Sequence, residues 1–507
     1  MNPLLEYFPL PKIRSEQLTV LNTINKALQK GYKNIILEAP VGSGKSAIAV
    51  TLARYLGDAH VITPRKALQD QYYEDFHKTG LTLMKGRSSY HCNLDPFSSC
   101  KDGPCATDRS IKSEVCNNKC PYTDAMEIAQ KGNLVVHNIH SFIYQGYFAE
   151  RFQPRKLMII DEAHMIEGAI REFGSKSLVI PKLYISPEKL PTKEDLPLLS
   201  DWANWLKTFE DKFSGRKNSK GESPQSRYQE ALTQLDYAGS KTGDSFVVDL
   251  SSDRYSETTK ISLIPNFIGP LANELLFNFG EVRLFMSGTI FDHSLFCRIL
   301  ALDPKETAGI TIPSTFPVQN RPIISNKSRM IDLSFNHWNG NYKKLLVILL
   351  EIAEEFKEVK GLIHTPSYDA NTSLFNSLKK NPRFVTHDRE TFQSSLQAFY
   401  DSEKPLIFLS PICTQGVDFK DDRARFQVIL RVPYLSPTDP FVKEKMGARD
   451  GWYNLQALVT FGQQIGRIVR SEMDTGTTLL VDERFNRFLS NNEKLLPDWL
   501  KKAIIKS

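Results

Sequence analysis

The segment APVGSGKS (39–46) constrains this chain more than any other stretch. It follows the apolar run NIILEA (34–39) and opens a helical pattern that continues through Ala53. A strand that turns through small residues into a helix leaves backbone N–H groups facing outward at the helix N-terminus, where the helix dipole adds positive potential. That geometry cradles phosphate oxygens. Gly42, Ser43 and Gly44 form the turn. Lys45 is placed to reach β- and γ-phosphates, and Ser46 to hold Mg²⁺. Ala39 stands where the strict pattern has Gly.

The rest of the chain repeats this strand–helix alternation. HVIT (60–63) precedes a helical stretch through Phe76, and NLVVHN (133–138), KLMIID (156–161) and VRLFMSG (282–288) follow. A second series holds GLIHT (361–365), RFVTH (383–387), PLIFLS (405–410), FQVILRV (426–432) and TTLLVDE (477–483), with helices expected over 342–357 and 452–469. Apolar strands alternating with helices predict parallel sheets covered on both faces. Two α/β domains are expected, with the break near 315–325. Two segments do not alternate. Residues 86–122 are polar and loop-like. Residues 168–262 have helical stretches (LSDWANWLKTFEDKF, 199–213; SRYQEALTQLDYA, 226–238) around a polar loop at 214–226. Both read as insertions into the first domain.

LMIIDEAH (157–164) supplies a second chemical element. An apolar strand carries Asp161 to its carboxyl end, the crevice where ligands bind in such sheets. Asp161 is expected to bind Mg²⁺ and Glu162 to act as general base on a water. Composition adds little. A net charge of +6 over 507 residues is compatible with a polyanionic partner. No apolar run is long enough to span a membrane, and the N-terminus lacks a secretory pattern. A reducing, cytoplasmic setting is therefore expected, the host cytoplasm if the source is viral. Of seven cysteines, Cys92, Cys100, Cys105, Cys116 and Cys120 crowd one short stretch. In a reducing compartment such clusters are metal ligands more often than disulfides. Four converging thiolates suit zinc or an iron–sulfur cluster, and spacing alone does not choose. Cys297 and Cys413 are expected in the core.

The ordered motifs resemble superfamily 2 helicases of the DEAH type, with Asp161, Glu162, Ala163 and His164 as the DEAH residues. IRSEQ (13–17) resembles the adenine-reading segment, with Gln17 the reader and Arg14 beside it. TPRKALQDQ (63–71) resembles the backbone-gripping motif, MSGTI (286–290) the coupling motif, and GLIHTPSY (361–368) and SPICTQGVDF (410–419) two second-domain motifs. QQIGRIVR (463–470) resembles the last, with Gln463 at the nucleotide and Arg467 and Arg470, three apart on one helix face, as arginine fingers. Val41, Gly288 and Gln415 depart from the family's usual Thr, Ala and Glu.

The cysteine stretch lies between the gripping motif and the DEAH strand, where XPD and DinG helicases carry an iron–sulfur domain. MKGRSSYHC (84–92) and CPYTDA (120–125) resemble that domain's borders, and the second insertion matches the family's helical Arch. The resemblance implies two RecA-like parallel-sheet motor domains. Their parts are 1–85, 123–167 and 263–320 for the first and 321–507 for the second, with an iron–sulfur domain at 86–122 and an Arch at 168–262. It implies ATP and Mg²⁺, a [4Fe–4S] cluster on Cys92, Cys105, Cys116 and Cys120 with Cys100 spare, and single-stranded and forked DNA as partner. Strand contacts are expected at Thr63, Arg65, Lys66, Ser367 and Tyr368, with aromatic stacking on bases. The chain is expected to be a monomeric DNA helicase of 5′→3′ polarity. An ATP-driven remodeller of protein–nucleic acid complexes, an ATP-switched DNA clamp and an RNA helicase are the rival readings. The pathway (repair, mobile-element or viral replication, defence) stays open.

Overall fold

The computed structural model describes residues 2–40, 42–107, 120–181, 190–208, 245–252, 258–413 and 417–506. Seventeen strands in these residues form three sheets. The first sheet takes β1 (Asn34–Glu38), β2 (Ala59–Thr63), β3 (Leu81–Met84), β4 (Leu134–Asn138), β5 (Arg155–Asp161), β9 (Gly280–Ser287) and β10 (Thr307–Thr311). Their order is β10-β1-β9-β5-β2-β4-β3, with every pairing parallel. Side chains alternate across it, as the two-residue period of a strand requires. Ile36, Ile62, Val135, Met158, Ile160 and Phe285 pack on one face, and Ile35, Leu37, Val61, Val136, Ile159 and Leu284 on the other. Both faces are buried, which is why the strands read as continuous apolar runs.

The second sheet joins β11 (Ile323–Ser325), β12 (Gly361–His364), β13 (Phe384–Val385), β14 (Ile407–Ser410), β15 (Phe426–Ile429), β16 (Thr477–Leu480) and β17 (Ile504–Lys506). Its order is β13-β14-β12-β15-β16-β11-β17, again all parallel. The protein is thus α/β with two RecA-like parallel-sheet domains. The chain passes from the first sheet to the second between Thr311 and Ile323. Cys297 lies in the first core and Cys413 in the second.

In the insertion at 168–262 the helix expected from 199 is present over Leu199–Lys207, and the described residues add a three-stranded antiparallel sheet that was not expected, with β8 (Thr258–Pro265) between β6 (Lys176–Pro181) and β7 (Phe246–Ser252). Runs such as FVVDLSS and TTKISLIP are rich in β-branched residues that favour an extended chain, and Ile261 and Leu263 are buried in it. The expected helix 226–238 and the polar loop before it lie outside the described residues.

Candidate active site

The phosphate loop joins β1 to the helix Lys45–Leu56. Gly42 and Gly44 have φ of +80° and +75°, a region that L side chains enter only at a cost. Space is short as well. A Cβ on Gly42 would lie 2.7 Å from the Phe316 ring, and one on Gly44 would overlap the Gln17 amide. Lys45 Nζ donates to the carbonyls of Ala39 (3.0 Å) and Pro40 (3.3 Å), so its ammonium is curled into the loop. Arg14 Nη1 donates to Gly42 O at 2.6 Å and Gln17 Nε2 to Ser43 O at 3.3 Å. The expected adenine-side residues are thereby tied to the loop itself.

Asp161 ends β5, one strand removed from β1 across β9. Both its oxygens are held: Oδ1 accepts the Glu162 N–H at 2.8 Å and Oδ2 the Tyr72 hydroxyl at 2.9 Å. Burial and then the neighbouring Glu162 push the Asp161 carboxyl up to about 6, against the pull of Lys45 and the Tyr72 bond. Burial also penalises the Glu162 charge, but His164, Lys45, Arg467 and Arg65 outweigh it and hold this carboxyl below its usual range. Glu162 sits at φ +51°, a left-handed strain of about 1 kcal/mol for a non-glycine. His164 is kept neutral by burial, with Glu162 opposing, and its Nδ1 shares a 2.8 Å hydrogen bond with Ser287 Oγ. A buried carboxylate beside a second one is stable only with a cation close by. Asp161 and the Ser46 hydroxyl supply oxygen donors alone, the set a hard cation such as Mg²⁺ takes. The residues fit that ion.

The second domain meets this edge through the helix Trp452–Ile465 and the chain after it. Gln463 Nε2 donates to Thr289 Oγ1 at 2.7 Å across the cleft. The expected helix to 469 stops instead at Ile465, with Gly466 as its C-cap. Ile468 and Val469 leave the helix to enter the second domain's core, so Arg467 and Arg470 do not share a helical face. They also differ in surroundings. Arg467 faces the charge of Glu162, is lowered to about 9 by burial and then by Arg470, and stays cationic at neutral pH. Its guanidinium donates to Val417 O at 2.8 Å and Gln463 Oε1 at 2.8 Å. Arg470 pairs with Asp418 at 3.3 Å. Lys45, Asp161, Glu162 and Arg467 therefore converge, while Arg470 is directed to Asp418.

Two residues, Tyr72 and Glu38, escaped the sequence reading, and a third, Ser287, was read only as part of the coupling motif. Tyr72 holds Asp161 from the helix Lys66–Phe76. Glu38 accepts the N–H groups of Ile290 (3.0 Å) and Phe291 (2.9 Å), fastening the phosphate-loop strand to the coupling motif. Ser287 ties that motif to His164. Each is a contact between motifs distant in sequence. Only the position of Glu38 at the end of the phosphate-loop strand hinted at a role.

The expected strand contacts divide. Thr63 is fully buried and its hydroxyl donates to the carbonyls of Arg65 and His137, so its side chain does not reach a ligand. Arg65 is half-buried and its charge faces Glu162. Lys66 is exposed. Ser367 caps the helix Tyr368–Leu378, accepting the Ala370 N–H at 3.2 Å. The Arg389 guanidinium lies 5.1 Å from the Tyr368 ring centre.

Of the five clustered cysteines, Cys116 lies outside the described residues, as does Gln415. Cys92, Cys100 and Cys105 are buried, and Cys120 caps the helix Pro121–Lys131. Cys100, expected to be spare, lies 3.8 Å from Cys120, sulfur to sulfur. Burial disfavours the Cys120 thiolate, but the Thr123 and Tyr122 N–H groups outweigh it and hold the thiol below its ordinary value. The donors are soft thiols, one inclined to ionise, and fit an iron–sulfur cluster chemically. Among the described residues no group of three or more converges closely enough to hold a metal.

The family description "Helicase C-terminal domain" matches residues 349–503, and "Type III restriction enzyme, res subunit" matches 10–180. The ATP-dependent DNA helicase YoaA of Haemophilus influenzae is 22% identical, over 93% of this chain and 91% of its own. A regulator of telomere elongation helicase 1 homolog from Caenorhabditis elegans is 27% identical, over 28% of this chain and 16% of its own. Among solved structures, an XPD helicase superposes with a TM-score of 0.68 at 16% identity, covering 98% of this chain and 100% of that one. S. tokodaii Xpd4 superposes at 0.59 and 16%, covering 97% and 100%.

Proposed function

We propose, from the premise that this chain belongs to the XPD/DinG-like helicase family, that it is an ATP-dependent DNA helicase. In this reading it travels 5′→3′ along one strand and parts the duplex ahead. One observation carries it: Glu162 lies under the influence of both Lys45 of its own domain and Arg467 of the second, beside a cleft that Gln463 bridges to Thr289 at 2.7 Å. The loop N–H groups and Lys45 would seat the triphosphate. Glu162, charged and partly open to solvent, would take the proton of the attacking water. Arg467, cationic and preorganised by Val417 and Gln463, would balance charge developing on the γ-phosphoryl group. Held by Ser46 and Asp161, Mg²⁺ would supply further neutralisation of the phosphate oxygens. Once the γ-phosphate leaves, Arg467 loses one of its two anionic partners, keeping Glu162, and the hold between the domains weakens. Closing and opening of this cleft would shift a strand held by Lys66, Arg65 and Tyr368.

The reading includes a [4Fe–4S] cluster in the cysteine stretch, single-stranded and forked DNA as partner, and a monomer working inside the cell. Its test is ATP-dependent strand displacement on duplexes with either a 5′ or a 3′ single-stranded tail. Unwinding of the 5′-tailed substrate alone is expected. Unwinding from the 3′ tail would reverse the polarity. DNA-stimulated ATP hydrolysis without displacement would favour a remodelling translocase.

A further inference from the structure

We propose that Tyr72 is a positioning residue through which grip on the nucleic-acid strand is read at the metal-binding carboxylate, a role that rests on the helicase reading above. The helix Lys66–Phe76 carries two different duties at its two ends. At its start are Arg65, its N-cap, and Lys66, exposed to solvent. Six residues on, about 9 Å along the axis at 1.5 Å per residue, Tyr72 is buried with 1% exposure. Its hydroxyl donates to Asp161 Oδ2 at 2.9 Å. One phenol thus touches the carboxylate that would hold Mg²⁺.

The other Asp161 oxygen is fixed by a backbone N–H of its own strand turn. Tyr72 is therefore the side-chain contact that sets the tilt of this carboxyl from outside the DEAH segment. The helix is braced one turn before Tyr72, where Gln69 Nε2 donates to Met84 O at 3.1 Å. A short, stiff helix pinned by Gln69 cannot move at Arg65 and Lys66 without moving the Tyr72 hydroxyl against Asp161. Partners that orient a metal ligand alter its affinity and activity about 10–100-fold when removed.

The test compares the full chain with Tyr72→Phe, which keeps the ring and its packing and removes only the hydroxyl. Three quantities are read. Affinity for a fluorescent single-stranded oligonucleotide without nucleotide should be unchanged, since Arg65 and Lys66 are intact. The Mg²⁺ concentration giving half-maximal binding of a fluorescent ADP analogue should rise about tenfold. The stimulation of ATP turnover by single strands, measured with Mg²⁺ in excess, should fall by a similar factor. Wild-type Mg²⁺ dependence and wild-type stimulation in Tyr72→Phe would overturn the proposal. So would a parallel loss of strand affinity and melting temperature, which would mark a merely structural role. If the unaltered chain neither binds the ADP analogue through Lys45 nor responds to single strands, the helicase reading itself fails, independently of Tyr72.

Discussion

Replacing Asp161 by asparagine should stabilise the nucleotide-free protein while abolishing ATP turnover. The carboxyl is 4% exposed, and burial with Glu162 pushes it from its ordinary 3.8 to about 6. A raised carboxyl value means that the folded state holds its proton more tightly than the unfolded one. This group therefore costs the native state nothing below pH 4, and its cost grows as pH rises, reaching its full size above pH 6. About two pH units at 1.36 kcal/mol each is ~3 kcal/mol. Asparagine carries no charge and still offers an oxygen to Tyr72 or to the Glu162 N–H. For a domain of this size the gain corresponds to about 5–10 °C in melting temperature. The assay is thermal unfolding without Mg²⁺ or nucleotide, followed by tryptophan fluorescence, between pH 5 and 8. The Asn variant should melt higher at pH 8, and the gap should shrink to about half by pH 5 as the wild-type carboxyl gains its proton. A variant that melts at or below wild type at pH 8, or a gap that does not narrow on acidification, would refute the reasoning.

Lys45→Ala should abolish ATP turnover and lower the melting temperature by a few degrees while the chain still folds, because the cation beside Asp161 and Glu162 is lost along with two bonds to its own loop. Buried Glu167 accepts from Trp452 Nε1 at 2.7 Å, Gln456 Nε2 at 3.1 Å and Arg171, joining the helix after the DEAH residues to the second domain. Glu167→Ala strands those donors and should cost about 3–5 kcal/mol in urea unfolding, with Glu167→Gln milder. Protein purified without oxygen should be brown, with about four irons and four sulfides per chain. Stoichiometric zinc without sulfide would remove the cluster from the proposal.

The legible parts of this chain were those written locally. The phosphate loop, the DEAH strand and most strands of both parallel sheets announce themselves in a handful of adjacent residues, because a strand buried on both faces must be apolar throughout. Of the strands that do not stand out, β3, β10 and β17 are sheet edges and β11 is only three residues long. The antiparallel sheet of the insertion was passed over for the helical stretches around it, although TTKISLIP has strand composition. The early end of the helix at Gly466 had a visible signal in the glycine, but what decides it is the burial of Ile468 and Val469 in the second core. Tyr72 with Asp161, Arg470 with Asp418 and Glu167 with Trp452 are pairings across sequence, set by how the elements stack. No periodicity in the chain encodes them.

The order of strands in the first sheet has a consequence for biosynthesis. Strand β1, which launches the phosphate loop, lies between β9 and β10: Ile36 pairs with both Phe285 and Gly309. A nascent chain leaving the ribosome therefore exposes both edges of β1 until residue 287 has emerged and one edge until residue 311, with the cysteine stretch and the whole second insertion made in between. Contacts so distant in sequence close slowly, and an unpaired apolar strand is a template for aggregation while it waits. Chains arrested before β10 should be unable to bind nucleotide and should depend on chaperones, although every residue of the phosphate loop is already in place.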